Sequence, residues 1–419
     1  MRRLTLLTLV ALAALPTAAH AAARYVPGEV LVHDAKGTRA VPTPGDHSVR
    51  WTAGRLRARP GVAWAVPNYV AHAAQEFVPN DPGRDASGWQ SMQWNFLPGI
   101  GVDALGAWQN LIRAGRPGGN GVVVAVLDSG VAYENRRRFR RSPDFTANQF
   151  VPGYDFVADD THPDDELGHG TFVAGTIAEK TNNGKALTGL AYGAKIMPVR
   201  VLDRLGEGDA ETIGKGIRFA AKHGAQVINL SLVFDESQTA SDIPPIITAL
   251  RYARRKRVVV VGASGNDSGD VVAYPARAGD VISVGATTQT GCLASYSNTG
   301  SGLDLVAPGG GDDAVLPDDP LCQTDLNSGL PIYQLTYPHD GQIRRFGYPN
   351  DFEGTSFAAP HVAATAALVI ASGVLGAHPS PSSVLERLRT TSHDLGPTGS
   401  DSDFGAGLLD AAAATAPVT

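Results

Sequence analysis

The sequence predicts an α/β fold in which a parallel sheet is sandwiched between helices, preceded by a small α+β module. Three observations carry this. Short runs rich in Val and Ile are continuously apolar rather than alternating, as strands buried on both faces must be. Longer segments of helical period lie between those runs. A polar, Pro-containing stretch from Val78 to Gly88 separates all of this from the chain before it and reads as an exposed linker.

In chain order, Arg2 and Arg3 precede an apolar run from Leu4 to Leu15, and Ala19-His20-Ala21 follows as a small-x-small cleavage pattern. Residues 1–21 therefore read as a secretory signal peptide, because about a dozen apolar residues fall short of the roughly 20 that span a bilayer. Residues 22–78 hold two strand-like pieces, Gly28 to Val32 and Val62 to Val66, consistent with a small separate module. Residues 79–419 form the main domain. Its strands are predicted at Val122 to Leu127, Ile196 to Leu202, Val227 to Leu232, Val258 to Val261 and Val281 to Val284. A helix is predicted over Asp209 to His223, where Ile213, Ile217, Ala220 and Ala221 share a face and Gly224 stops it. Another places Ile243, Ile246, Ile247 and Leu250 on one stripe. The apolar run Val362 to Ala377, interrupted by Thr365, Ser372 and Gly373, reads as a buried central helix and not as a membrane span.

At 419 residues, 43% of them hydrophobic, the chain has enough apolar surface for a large core. A net charge of -6 with acids and bases widely mixed gives no reason to expect a nucleic-acid partner. Export would place the two cysteines, Cys292 and Cys322, in an oxidising compartment, so a disulfide is expected; closing a loop of about 30 residues contributes roughly 3 to 4 kcal/mol in the chain-entropy model.

Three segments put a reactive side chain at the end of a secondary element. Asp128 ends the first strand of the main domain, where open α/β sheets place their ligand crevices. His169 begins a run of small residues, Gly-Thr-Phe-Val-Ala-Gly-Thr-Ile177, and Ser356 precedes the apolar helix. A serine hydroxyl becomes a useful nucleophile when an imidazole accepts its proton and a buried carboxylate orients that imidazole. Asn266, after another strand at the same edge, is placed to donate to a developing oxyanion, and the helix under Ser356 adds free N–H groups. Singly, each residue is as readily a turn or a cap.

Val-Leu-Asp128-Ser-Gly-Val, Gly-His169-Gly-Thr-Phe-Val-Ala-Gly-Thr-Ile and Gly-Thr-Ser356-Phe-Ala-Ala-Pro-His resemble, in that order, the signature segments of the subtilisin-like serine proteases. The resemblance runs from about residue 90 to 412. It implies a secreted serine endopeptidase with Asp128, His169 and Ser356 as catalytic residues and Asn266 in the oxyanion hole. It also implies an inhibitory propeptide in residues 22–78, shorter than usual for the family. Protein or peptide substrates and the chain's own propeptide are then its partners; the mature form is a monomer without membrane or nucleic acid, and its chemistry requires no cofactor. Two other readings stay open: a narrow protease that trims one partner's leader peptide, and a binding protein that kept the fold without the catalysis.

By the same resemblance, Ser231, Leu232 and Val233 line one wall of the substrate cleft and Ala263, Ser264 and Gly265 the other. The family usually continues Ser-Leu-Gly-Gly where this chain has Val233-Phe234, which narrows the pocket; small uncharged walls favour apolar or small side chains, whereas Asp235 and Glu236 favour a basic one. Asp144 and Asn183 resemble ligands of a structural calcium site, although Lys185 in the same loop opposes a cation. Asp159, Asp160, Asp164 and Asp165 form a charge run that reads as a second cation site or a solvated face, the arginines 136–141 as an exposed loop or a self-cleavage site, and residues 312–352 as a disulfide-pinned surface loop beside the cleft.

Overall fold

A computed structural model describes residues 25–44, 47–69, 77–316, 322, 329–339 and 341–418. The signal-peptide assignment lies outside these residues. The chain divides into two compact units, Met1–Gln75 and Glu76–Thr419.

In the first unit, β1 (Tyr25–Asp34) pairs antiparallel with both β2 (Gly37–Pro42) and β3 (Val62–Tyr69). Helix α1 (Val49–Arg57), capped by the Ser48 side chain, lays Val49, Ala53 and Leu56 against Val30, Val32 and Ala65.

The second unit is built on a seven-stranded parallel sheet. After α2 (Ala104–Arg113) come β4 (Val123–Asp128), the short β5 (Tyr154–Asp155), α3 (His169–Ala178), β6 (Lys195–Arg200), α4 (Ala210–Lys222), β7 (Val227–Leu230), α5 (Pro244–Arg255), β8 (Val259–Ala263), β9 (Ile282–Thr287) and β10 (Leu305–Pro308). Three helices close the chain: α6 (Thr355–Ser372), α7 (Pro381–Thr391) and α8 (Ala411–Thr415). The sheet order is β10-β9-β8-β7-β4-β6-β5. β4 sends the chain to β6 on one side and is joined by β7 on the other, so the order reverses beside it and leaves a crevice at its carboxyl end. Asp128 is the last residue of β4.

One face of the sheet is covered by α4 and α5, whose Ile213, Ile217, Ile246 and Leu250 pack over Leu127, Val199 and Ile228. Asp209 caps α4 by accepting the Glu211 and Thr212 N–H groups, as Asp at an N-cap should. On the other face α6 runs beneath β7 to β10, buried along most of its length. It begins seven residues before the apolar run that announces it, so Ser356 lies in its first turn. Pro360 sits inside this helix and lacks the N–H that would bond the carbonyl four residues back, that of Ser356; the Ser231 hydroxyl donates to that carbonyl instead, at 2.6 Å.

Two expectations about loops are corrected. The stretch 78–88 is only partly exposed: Pro79, Asp81 and Gly83 are buried, and the Asp81 carboxylate accepts the backbone N–H groups of Asn182 and Asn183. Nor is the segment 329–352 merely superficial. Ile332 packs in a buried cluster with Trp94, Phe172 and Phe357, Phe352 stacks on Phe172, and Gln334 donates to the Thr188 carbonyl. A disulfide joins Cys292 and Cys322, both buried, with 5.5 Å between their Cα atoms.

Candidate active site

Asp128 is fully buried. Its Oδ1 accepts the Ser129 N–H at 2.7 Å and the His169 Nδ1–H at 2.8 Å, while Oδ2 has no partner among the described residues. The second contact assigns the imidazole tautomer, leaving Nε2 as an acceptor. Helix α3 approaches this closely because residue 170 is glycine: a Cβ there would lie 2.1 Å from the Gly130 carbonyl oxygen. Burial works against protonation of His169, but the charge and hydrogen bond of Asp128, with the charge of Asp165, more than offset it and raise its pKa above the ordinary value.

His169 and Ser356 line one cleft of about 430 Å³ with Leu167, Leu202, Gly206 to Gly208, Ile213, Ser231, Leu232 and Val233. Here the Ser356 hydroxyl donates to the Ser231 carbonyl at 3.3 Å, and no hydrogen bond joins it to His169. Such contacts are often loose before substrate binds. The Asn266 carbonyl oxygen accepts from the Thr355 N–H at 2.9 Å and the Thr355 hydroxyl at 2.8 Å. That fixes the amide so that its Nδ2, which has no acceptor among the described residues, faces the Gly354 turn from which Ser356 emerges. Val233 is 41% exposed in the cleft, whereas Ala263 and Ser264 are wholly buried, Ser264 donating to the Asn298 carbonyl. Of the two acids near this wall, Asp235 turns to Ser237, and Glu236 accepts from Asn298 Nδ2 at 2.5 Å.

Several supporting residues escaped sequence reasoning. Asp165 belongs to the charge run but is wholly buried; its Oδ1 accepts from Ser129 Oγ, Leu167 N and Gly168 N, and its Oδ2 from Thr171 N and Oγ1. It thus ties the turn after Asp128 to the start of the helix carrying His169. Asp164 pairs with Arg136, Asp160 accepts from the His162 N–H and Asp159 from the Tyr154 hydroxyl, so each acid of this run has a hydrogen-bond partner. From the late segment, the Thr336 hydroxyl donates to the Gly168 carbonyl at 2.5 Å and the Tyr337 hydroxyl to that of Asp165 at 3.3 Å.

A sequence profile of the subtilase family matches residues 119–407. The chain belongs to the subtilase family. The thermophilic serine proteinase of Bacillus sp. (strain AK1) is 35% identical over 318 residues, 76% of this chain and 65% of that protein. Subtilisin Savinase of Lederbergia lenta is 36% identical over 299 residues, 71% of this chain and 91% of that protein. Among solved structures, a protease from Pseudoalteromonas arctica superposes with a TM-score of 0.65 at 30% identity, covering 81% of this chain and 99% of that one. This chain therefore spans just under two thirds of the first relative, and nearly all of the second.

Apart from the cleft, Asp144 accepts from Asn183 Nδ2 at 2.5 Å, close to the buried Asp81 and Glu179. Asp144 Oδ2 and both Glu179 oxygens are buried without partners among the described residues. Burial first, opposed by the Asn183 contact and assisted by the charge of Asp81, pushes Asp144 up to about 7. No trio of His, Cys, Asp or Glu ligands converges on one point among the described residues. The Asn183 side-chain oxygen accepts from the Lys185 N–H at 2.8 Å, so the oxygens left to meet a hard cation here are the orphaned ones of Asp144 and Glu179.

Proposed function

We propose that this subtilase is a secreted serine endopeptidase that cleaves protein substrates through an acyl-enzyme on Ser356. The Asp128–His169 hydrogen bond at the floor of a cleft shared with Ser356 is the observation that carries this reading. His169 Nε2 takes the Ser356 proton as Oγ attacks the scissile carbonyl, then gives it to the leaving amine. Asp128 holds the ring and stabilises the imidazolium; Asn266 Nδ2 and the Ser356 N–H receive the oxyanion. Residues 1–21 direct export, and residues 22–78 form a propeptide removed by cleavage between about Ala73 and Gln93. A calcium ion held by Asp144 and by Asn183, with the Asn183 amide turned so that its oxygen replaces Nδ2 at Asp144, would stiffen the 181–187 loop without entering the chemistry.

The test compares casein hydrolysis by the exported protein and by its Ser356→Ala variant, each followed by intact mass. Activity and loss of roughly the first 80 residues in the wild type alone support the proposal. If both proteins stay inert and unprocessed, it fails, and the leader-trimming or binding reading takes its place.

A further inference from the structure

The arginine run at 136–141 has no part in the chemistry above. The backbone of Arg136 and Phe139 exchanges hydrogen bonds across a tight turn, with Arg137 at φ 51°, and this presents Arg137, Arg138 and Arg140 to solvent. A distant segment joins them. Arg344 Nε donates to the Arg138 carbonyl at 2.9 Å, and Gly341 to Arg345 enclose with Arg138 a hollow of about 420 Å³ in which Arg344 and Arg345 are also exposed.

Counter-charge lies on one side of this patch, where Arg136, Arg137 and Arg138 share a hollow with Asp155, Asp160, Asp164 and Glu166. Arg136 pairs with Asp164 and Glu134, and Arg138 with Glu166, yet Glu134 also serves His162 and Glu166 also serves Arg200. Among the described residues no carboxylate pairs with Arg137, Arg140, Arg141, Arg344 or Arg345; Arg140 and Arg344 donate only to backbone carbonyls. Gathered like charges repel, and here they do so on a chain whose net charge is -6. Arg136 and Arg138 stack on the Phe139 ring, but among the described residues no ion pair or ring contact accounts for Arg137, Arg140, Arg141, Arg344 or Arg345. Its position is informative: Glu166 immediately precedes Leu167 and lies three residues before His169 of the cleft wall, and the segment bearing Arg344 is held to the same place through Tyr337 and Thr336.

We propose that this arginine patch is an exosite that docks a carboxylate-rich segment of a protein substrate whose scissile bond lies in the cleft. The proposal rests on the proteolytic reading and adds the substrate class: polypeptides with Asp- or Glu-rich flanks. Exposed guanidiniums recruit such flanks by steering and by carboxylate pairing.

The test uses a neutral peptide that the mature protein is first seen to cleave, extended at either end by a run of glutamates or of glutamines. At about 10 mM salt, where screening extends to roughly 30 Å, one glutamate peptide should show kcat/KM about tenfold above its glutamine partner. The advantage should vanish near 1 M salt, in Arg344→Glu/Arg345→Glu and, separately, in Arg137→Glu, while both variants cleave the glutamine peptide as the wild type does. Equal rates on glutamate and glutamine peptides, or a preference that survives both variants, overturn the exosite alone. Inhibition by heparin without any glutamate preference reassigns the patch to a polyanion and equally overturns it. Failure of the wild type to cleave any peptide overturns the proteolytic reading beneath it.

Discussion

Replacing Asp128 by Asn removes a charge while keeping a shape. The asparagine oxygen can take over both contacts of Oδ1, to Ser129 N and His169 Nδ1, and its amide group can turn into the place of the unpartnered Oδ2. What disappears is the attraction that holds the His169 pKa up against burial. Two consequences follow together. The acid limb of kcat/KM, set in the wild type by a His169 pKa above the ordinary ~6.5, should move to lower pH in Asp128→Asn. The imidazolium formed during attack also loses its stabilisation, and turnover should fall by about 10⁴, the order seen when a triad carboxylate is removed from other serine proteases. That is about 5 kcal/mol of transition-state stabilisation. The assay is a pH–rate profile on a cleavable peptide, with thermal unfolding confirming an intact fold. Turnover within tenfold of wild type, or an acid limb displaced upward, would refute the role given to Asp128.

Other perturbations report on the scaffold, and all are best made on a Ser356→Ala background to suppress self-digestion. His361 is wholly buried, accepting from Asn95 Nδ2 at 2.7 Å and donating to the Phe357 carbonyl, and burial pushes it down to about 4. It stays neutral in the fold while the unfolded chain protonates near ~6.5, so its contribution is complete above that pH and is lost as pH falls towards 4, by about 3 kcal/mol. Urea unfolding of proteins with and without His361→Asn should differ in pH dependence by that amount, even though the raised Asp144 and Asp164 act in the opposite direction. Ile332→Ala should cost about 2 to 5 kcal/mol if the late segment is core, and under 1 kcal/mol if it is a surface loop. Chelation of calcium should lower the melting temperature of the parent but not of Asp144→Ala; an equal drop in both would remove the cation from the 181–187 loop.

The sequence made the α/β class and the strand ends legible because burial on both faces leaves unbroken apolar runs, as in Val123–Asp128, and because Asp209 caps α4 by a local rule. Asp128, His169, Ser356 and Asn266 were legible through their motifs. Tertiary context hid the rest. Asp165 reads as one more acid in a solvated run, and only the fold reveals five donors converging on it. β10 is four residues ending in proline, too short for a period to declare itself. Ile332 to Tyr337 forms no regular element among its neighbours, so nothing local marks Thr336 as a brace for the turn before His169. Asp81 lies in a stretch whose Pro, Asn and Gly content mimics a linker, and its burial depends on residues 182 and 183.

The proposed mechanism makes Ser356 a nucleophile activated by His169. Its most direct test is to treat the exported protein with a small sulfonyl fluoride and follow intact mass, peptide mapping and residual activity together. A single adduct, on Ser356, should accumulate in step with loss of proteolysis and be absent from both Ser356→Ala and His169→Ala. Proteolysis that continues with Ser356 fully modified, or full inactivation by an adduct elsewhere, would contradict it.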